Sequence, residues 1–351
     1  MKIINEVARR LPLGDTTIAH VSYHATIHPP KNINPDDNVR LVYAPRERCY
    51  KHTLDECQVN RKYLDYLKGQ IQLFPNGPEI FEYYNDMILF RALPMPLHPI
   101  IGKDTKVYRE AGAKRILALS FVQFSKWAYG PNFYVLGKCL WRGEGDPQDI
   151  VEYCDAVYGP HAKVMKKYFD LLFEFCATVM QVCGYEMGTE MRQPPDNQPY
   201  AKTHVASLAP LVREEHLDSI EGLLKDAIAC AQEPYRTRIE NQLLIWNFAR
   251  IEVPTIYRTL LAGYLKSDLG QDATDGDRQY VIALIKKVLE DMDKASEIIL
   301  SAPEELRGTL YRNKGSMWRR FERLKKSLCS GMERFEKQQE GAEQGLKPKS
   351  R

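Results

Sequence analysis

The sequence holds no long apolar run, no paired-cysteine motif and no dominance of either charge sign, and each absence removes a class of function. No segment approaches the roughly 18 consecutive apolar residues that a membrane-spanning helix needs, so no membrane partner is expected. The residues after Met1, Lys2-Ile3-Ile4-Asn5-Glu6-Val7, are too polar and too short for the apolar region of a signal peptide. As written the chain is therefore expected to be cytoplasmic, although a longer parent protein could be secreted. Eight cysteines occur without one C-x-x-C pair, which removes the common spacing of zinc and redox sites and leaves buried free thiols as the expectation. No metal and no cofactor is called for. Lys and Arg number 49 against 46 Asp and Glu, a formal charge of +3, too even a mixture to suggest nucleic acid. The one basic stretch carries Arg319, Arg320, Arg323, Lys325 and Lys326 beside Trp318, Phe321 and Leu324. Glu322 and the acidic residues beyond it dilute that stretch, and it reads as a solvated helix face.

What is present is an ordinary globular composition, 351 residues with 44% hydrophobic, long enough for about two domains at roughly 150 residues each. Residues 1–11 form a helix closed by Pro12 and Gly14. Strands are expected at Thr16–Ala25, ended by Pro29-Pro30, then at Val39–Ala44, Glu79–Tyr84 and Arg115–Phe121. Helical spacing separates them, with Tyr63, Leu64, Leu67 and Ile71 on one face of Asn60–Leu73, and a further helix over 99–111. Strands alternating with helices predict right-handed crossovers and a parallel sheet. Four strand-then-helix units in a row amount to half of an eight-unit barrel.

After Asn132 the strand signal stops. Residues 147–184 read as helices about the turn Tyr158-Gly159-Pro160, the segment Arg192–Tyr200 as a Pro- and Asn-rich loop, and 213–233, 236–265, 276–300 and 303–330 as helices. In the third of these Val281, Ile285, Val288, Met292, Ala295 and Ile299 recur at helical spacing, the mark of a packing face. From Glu333 the chain is polar, with little to bury, and is expected to be disordered. The division expected is thus 1–145 partial barrel, 146–191 helical extension, 192–332 α-helical domain and 333–351 tail.

Five stretches carry a resemblance to a known family: HVSYHATIHPPKNI at 20–33, YAPRERCYKHTLDEC at 43–57 followed by Asn60, FEYYND at 81–86, LPMPLHP at 93–99 and YGP at 158–160. In order and spacing the segment Ala19–Pro160 resembles domain of unknown function 4838, a family similar to α-glucuronidase and hexosaminidase barrels. The resemblance implies α/β followed by all-α: the C-terminal half of a (β/α)8 TIM-type barrel, four βα units, then a helical domain. It makes the four strands the fifth to the eighth. In hexosaminidase-type barrels the general acid ends the fourth strand, so the principal acid is expected to be missing here and the chain to be truncated.

Glycoside hydrolysis generally uses two carboxyl groups, about 5 Å apart for retention and about 6.5 to 9.5 Å for inversion. Glu47 follows the second strand, Glu82 ends the third and Asp86 lies just beyond. Neighbouring strands are about 4.8 Å apart, so Glu47 and Glu82 are candidates for one catalytic pair, with Asp86 beside them. Each also has a structural reading, Glu47 as an ion pair with its flanking arginines. Arg46 and Arg48 suit an anionic sugar, because a guanidinium grips a carboxylate in a bidentate fork, although ordinary salt bridges explain them as well. His24, His28 and His52 fall near strand ends without metal-binding spacing, and His24 and His52 are assigned to sugar hydroxyls. Tyr83, Tyr84, Trp127 and Tyr129 also follow strand ends, where rings stack on pyranose faces or fill the core under a loop. Tyr84, Trp127 and Tyr129 join the candidate substrate-binding set.

The leading expectation is a glycoside hydrolase-like protein that acts on or binds a glycan, acidic or N-acetylated. Its rivals are a carbohydrate-binding or interaction protein that closes its half barrel by homo-oligomerisation or with a separate N-terminal half, a truncated hydrolase, and a poorly folding relic.

Overall fold

The computed structural model describes residues 1–11, 16–74, 76–86, 89–90, 93–120, 128–183, 206–269 and 274–303, with 306, 326, 329–330 and 333. Helix α1 (Lys2–Arg10) leads into strands β1 (Ile18–Ser22), β2 (Val39–Tyr43), β3 (Glu79–Asn85) and β4 (Arg115–Ser120). They form one parallel sheet whose spatial order is the chain order. β2 reads VRLVY, a nearly continuous apolar run of the kind parallel strands show when both faces are covered. Helix α2 (Gln58–Ile71) joins β2 to β3, α3 (His98–Glu110) joins β3 to β4, and α4 (Gly130–Arg142) follows β4. α3 and α4 each begin with proline in the first turn, where its missing N–H is no loss. α4 ends at Gly143 with φ 84°, the left-handed cap that glycine adopts without strain.

The expectation of four strand-then-helix units is corrected at the first. Between β1 and β2 the chain makes only a 3-10 turn, His24–Thr26. Pro29, Pro30 and Pro35 follow, and prolines so spaced cannot sustain a helix. Ile27 packs beside Leu41, Tyr43, Leu67, Phe74, Ile80 and Tyr108 in the core between sheet and helices. On the other face Val21 and Leu117 stay about half exposed, at 51% and 47%. There Glu79 bridges Arg40 at 3.0 Å and Arg115 at 2.8 Å, an ionic rung across three strands.

The helical region comprises α5 (Gln148–Tyr158), α6 (Ala162–Cys183), α7 (Glu214–Cys230), α8 (Tyr235–Leu269) and α9 (Asp275–Ser301). A second core runs without a break from Tyr50 and Tyr84 at the strand ends to Trp246 and Ile299 in these helices. Trp246 lies 5.2 Å from Phe175 of α6, and Arg238 of α8 donates to the Val157 carbonyl of α5 at 2.7 Å. The α9 stripe packs as its periodicity predicts, with Val281, Val288, Met292, Ala295 and Ile299 buried and Ile285 partly covered. No helix among the described residues is long and apolar enough to cross a membrane. Trp127, the loop 192–200, the basic stretch 318–325 and the tail from 334 lie outside the described residues.

Candidate functional site

Three consecutive strands deliver polar side chains to one place at their carboxyl ends. Tyr23 and His24 follow β1, Arg46 and Glu47 follow β2, Tyr83 belongs to β3 and Asp86 follows it. Arg46 Nε donates to Asp86 Oδ2 at 2.8 Å, and the Arg46 guanidinium sits 5.6 Å from the centre of the Tyr83 ring. Tyr23 stacks on Tyr83 at 6.1 Å with the rings 19° apart. His24 Nδ1 approaches Glu47 Oε1 to 2.8 Å, yet that oxygen takes part in no aligned hydrogen bond.

The turn that carries His24 is under local tension. His24 has φ 48°, the one non-glycine residue at positive φ among those described. Histidine tolerates this region better than most side chains, but a non-glycine there calls for a reason. Thr26 holds the turn: its hydroxyl accepts from the Tyr23 N–H at 3.0 Å and lies 3.0 Å from the Val21 carbonyl as donor.

Burial sets the electrostatics. Arg46, Glu47 and Asp86 are buried, while the His24 side chain remains 32% exposed. Loss of solvent pushes the Glu47 carboxyl above the usual range, against the opposing pull of Arg46. Desolvation, and then the Arg46 charge, lower the pKa of His24. Arg46 Nη1 and Asn85 Nδ2 are buried with no hydrogen-bond partner among the described residues. Buried donors are rarely left unpaired, so each calls for an explanation, and a ligand is one.

Glu82, Arg48 and Tyr84 depart from the sequence expectation. Together with Ile80, Glu82 and Tyr84 sit on the side of β3 that faces the helices. There Glu82 Oε1 accepts from Arg48 Nε at 3.0 Å and from the Tyr108 hydroxyl, and Oε2 accepts from the Tyr50 hydroxyl at 3.2 Å and the Tyr83 N–H at 3.1 Å. Arg48 also pairs with Asp104 of α3, and Tyr84 donates to Asp104 at 3.3 Å. Glu82, Arg48 and Asp104 are wholly buried. Their bonding capacity is spent inside the protein, which makes them a structural knot under α3.

Tyr129 is also withdrawn, 1% exposed with its hydroxyl donating to the Leu93 carbonyl at 3.1 Å. His28 packs edge-on against Tyr66 of α2. His52 lies away from His24, its Nδ1 3.4 Å from Cys49 Sγ. Of the expected set, His24, Arg46, Glu47 and Asp86 are brought together, and Trp127 lies outside the described residues. The sequence expectation omits Tyr23 and Asn85. Both stand next to chosen residues in the matching stretches, and that adjacency was the available signal. A cleft of about 380 Å³ elsewhere is bordered by His98, Lys166 and Asp170, and these three pair with one another.

The structure is a parallel α/β sheet with polar groups gathered at the carboxyl ends of its strands, the edge at which open α/β sheets in general hold their ligands. Residues 1–170 match the model of the family described as Domain of unknown function (DUF4838). The fold has a counterpart among solved structures. It is similar to the solved structure of a GH138 enzyme targeting pectin rhamnogalacturonan II, with 10% sequence identity and a TM-score of 0.55 over 84% of this chain and 40% of that one. At such identity the likeness is one of fold, and the chain spans less than half of that enzyme's length. No curated protein matches the chain.

Proposed function

We propose that the strand-end cluster binds an acidic glycan and that Glu47 and Asp86 carry glycoside hydrolysis there. The observation that supports this most is the buried Arg46 guanidinium, whose Nη1 has no hydrogen-bond partner among the described residues, beside the stacked Tyr23 and Tyr83 rings. Aromatic faces suit the apolar face of a pyranose, and a buried guanidinium suits a uronate carboxylate. Glu47, whose proton is held by burial, is the proton donor to the leaving oxygen. His24 positions it, and Asp86, anchored by Arg46, is the second carboxylate. The sheet's chain-order parallel topology supports reading the strands as four consecutive members of a (β/α)8 barrel.

Pectin rhamnogalacturonan II, the target of the structural neighbour, and simple glucuronides are the substrates to assay. Glu47→Gln is expected to lower kcat by about 100-fold or more, with Asp86→Asn similarly impaired. Because the protonated Glu47 is the active form, wild-type activity should fall as pH rises through its elevated pKa. Turnover unaffected by Glu47→Gln would sink the assignment. Binding without turnover, abolished by Arg46→Ala, would make the protein a lectin.

A further inference from the structure

The loop after β2 continues past the sugar pocket into a second cluster, formed by Cys49, His52 and Cys57. Cys49 Sγ lies 3.4 Å from His52 Nδ1, and with Cys57 Sγ all three donor atoms fall within 4.8 Å of one another. We propose that Cys49, His52 and Cys57 form a zinc site, with two thiolates and one imidazole as ligands and a fourth position open to water. Zinc–sulfur bonds of about 2.3 Å and zinc–nitrogen bonds of about 2.0 Å in a tetrahedron place ligand atoms about 3.5 to 3.8 Å apart. The Cys49–His52 separation already matches, and the remaining contraction is small enough for side-chain rotation. Soft sulfur donors with an imidazole select zinc over the oxygen-seeking magnesium and calcium.

Three features make the cluster a built site. The Asn60 side chain clamps the loop, accepting from the Cys49 N–H at 2.7 Å and donating to the carbonyls of Cys49, His52 and Thr53 at 2.8, 2.9 and 3.0 Å. Cys57 caps α2, its sulfur accepting from the Asn60 N–H at 3.5 Å. A helix N-terminus favours the thiolate, the form that ligates. Burial grades outward, from Cys49 at 6% exposed to half-buried His52 and Cys57, which leaves an entry path. The C-x2-H-x4-C spacing contains no C-x-x-C pair, so the motif search returns nothing although the fold converges the donors. Bound zinc would staple the loop from Cys49 to the start of α2, close behind Glu47 in sequence.

The full chain, reduced and stripped of metal, should be titrated with zinc by calorimetry and with cobalt(II) by absorption spectroscopy. The expected result is saturation at about one ion per chain, with thiolate-to-cobalt charge transfer and the visible bands of tetrahedral cobalt. Both should disappear in Cys57→Ser and in His52→Ala and persist in Cys230→Ser, which changes an exposed cysteine elsewhere. The wild-type cobalt spectrum reports thiolate ligation by itself, so it decides the question even where a variant misfolds. Absence of saturable zinc binding, an octahedral oxygen-type cobalt spectrum, or unchanged binding in Cys57→Ser overturns the proposal.

Discussion

Arg46 and Arg48 differ by two positions and have opposite fates: Arg46 pairs with Asp86 at the strand ends and keeps Nη1 without a hydrogen-bond partner among the described residues, while Arg48 is sealed under α3. The convergence of His24, Arg46, Glu47 and Asp86 is legible in the sequence because each follows a strand whose end is marked by a breaker or by a change of composition. The side chosen by Glu82 was not legible. β3 reads EIFEYYN and is buried along nearly its whole length, so it lacks the polar–apolar alternation that tells one face from the other. The clue lay in α3, where Asp104 and Tyr108 are four apart on the face that meets the sheet. Asp104 also makes the knot sensitive to pH. Burial pushes its carboxyl up to about 6, against the pull of Arg48. A folded pKa above the unfolded value contributes stability that is complete below about 4 and lost as pH rises through about 6. Asp104→Asn removes that titration while weakening the Arg48 pair, so its stability deficit relative to wild type should narrow between those two pH values. Urea melts across the range check this, and a constant deficit would count against a raised Asp104.

Among the elements, the β2–α2 loop is the most tightly specified, and Asn60 is the reason. Its side chain satisfies four backbone groups and is fully buried. Asn60→Ala should therefore cost about 3 to 5 kcal/mol, since several buried polar groups lose their partners together. Chemical denaturation measures the loss, and a change within about 1 kcal/mol would show that the loop holds itself. The helices α2 and α3 were legible from apolar spacing, whereas α4 was not. Gly130, Pro131 and Gly137 in GPNFYVLGKCLWR look like turn residues until the cap positions are known, and tertiary packing of Val135, Leu136 and Cys139 overrides the local signal. The prolines after His28 both end the strand region and exclude the first crossover helix, since each effect follows from one fixed dihedral and one missing donor.

At the level of the whole molecule, the strand-end loops and the helices share one core, although the expected domain boundary falls between α6 and α7. Lys51 in the site loop donates to Thr178 of α6 at 2.8 Å, a link that no sequence pattern announces because such contacts join residues far apart in the chain. Trp246→Ala, which empties the centre of that core, should cost about 3 to 5 kcal/mol. It should also lower the far-ultraviolet and the tyrosine near-ultraviolet transitions together, as a cooperative unit requires. Two separated transitions in the wild type would instead describe independent halves. The backbone at His24 bears on a longer timescale, that of sequence drift. Glycine, and to a lesser degree asparagine, fit a left-handed turn more comfortably than imidazole does, so a descendant freed from the demands of the pocket gains stability by discarding the histidine. A histidine at this corner in a relative would therefore mark a lineage in which the pocket is still in use.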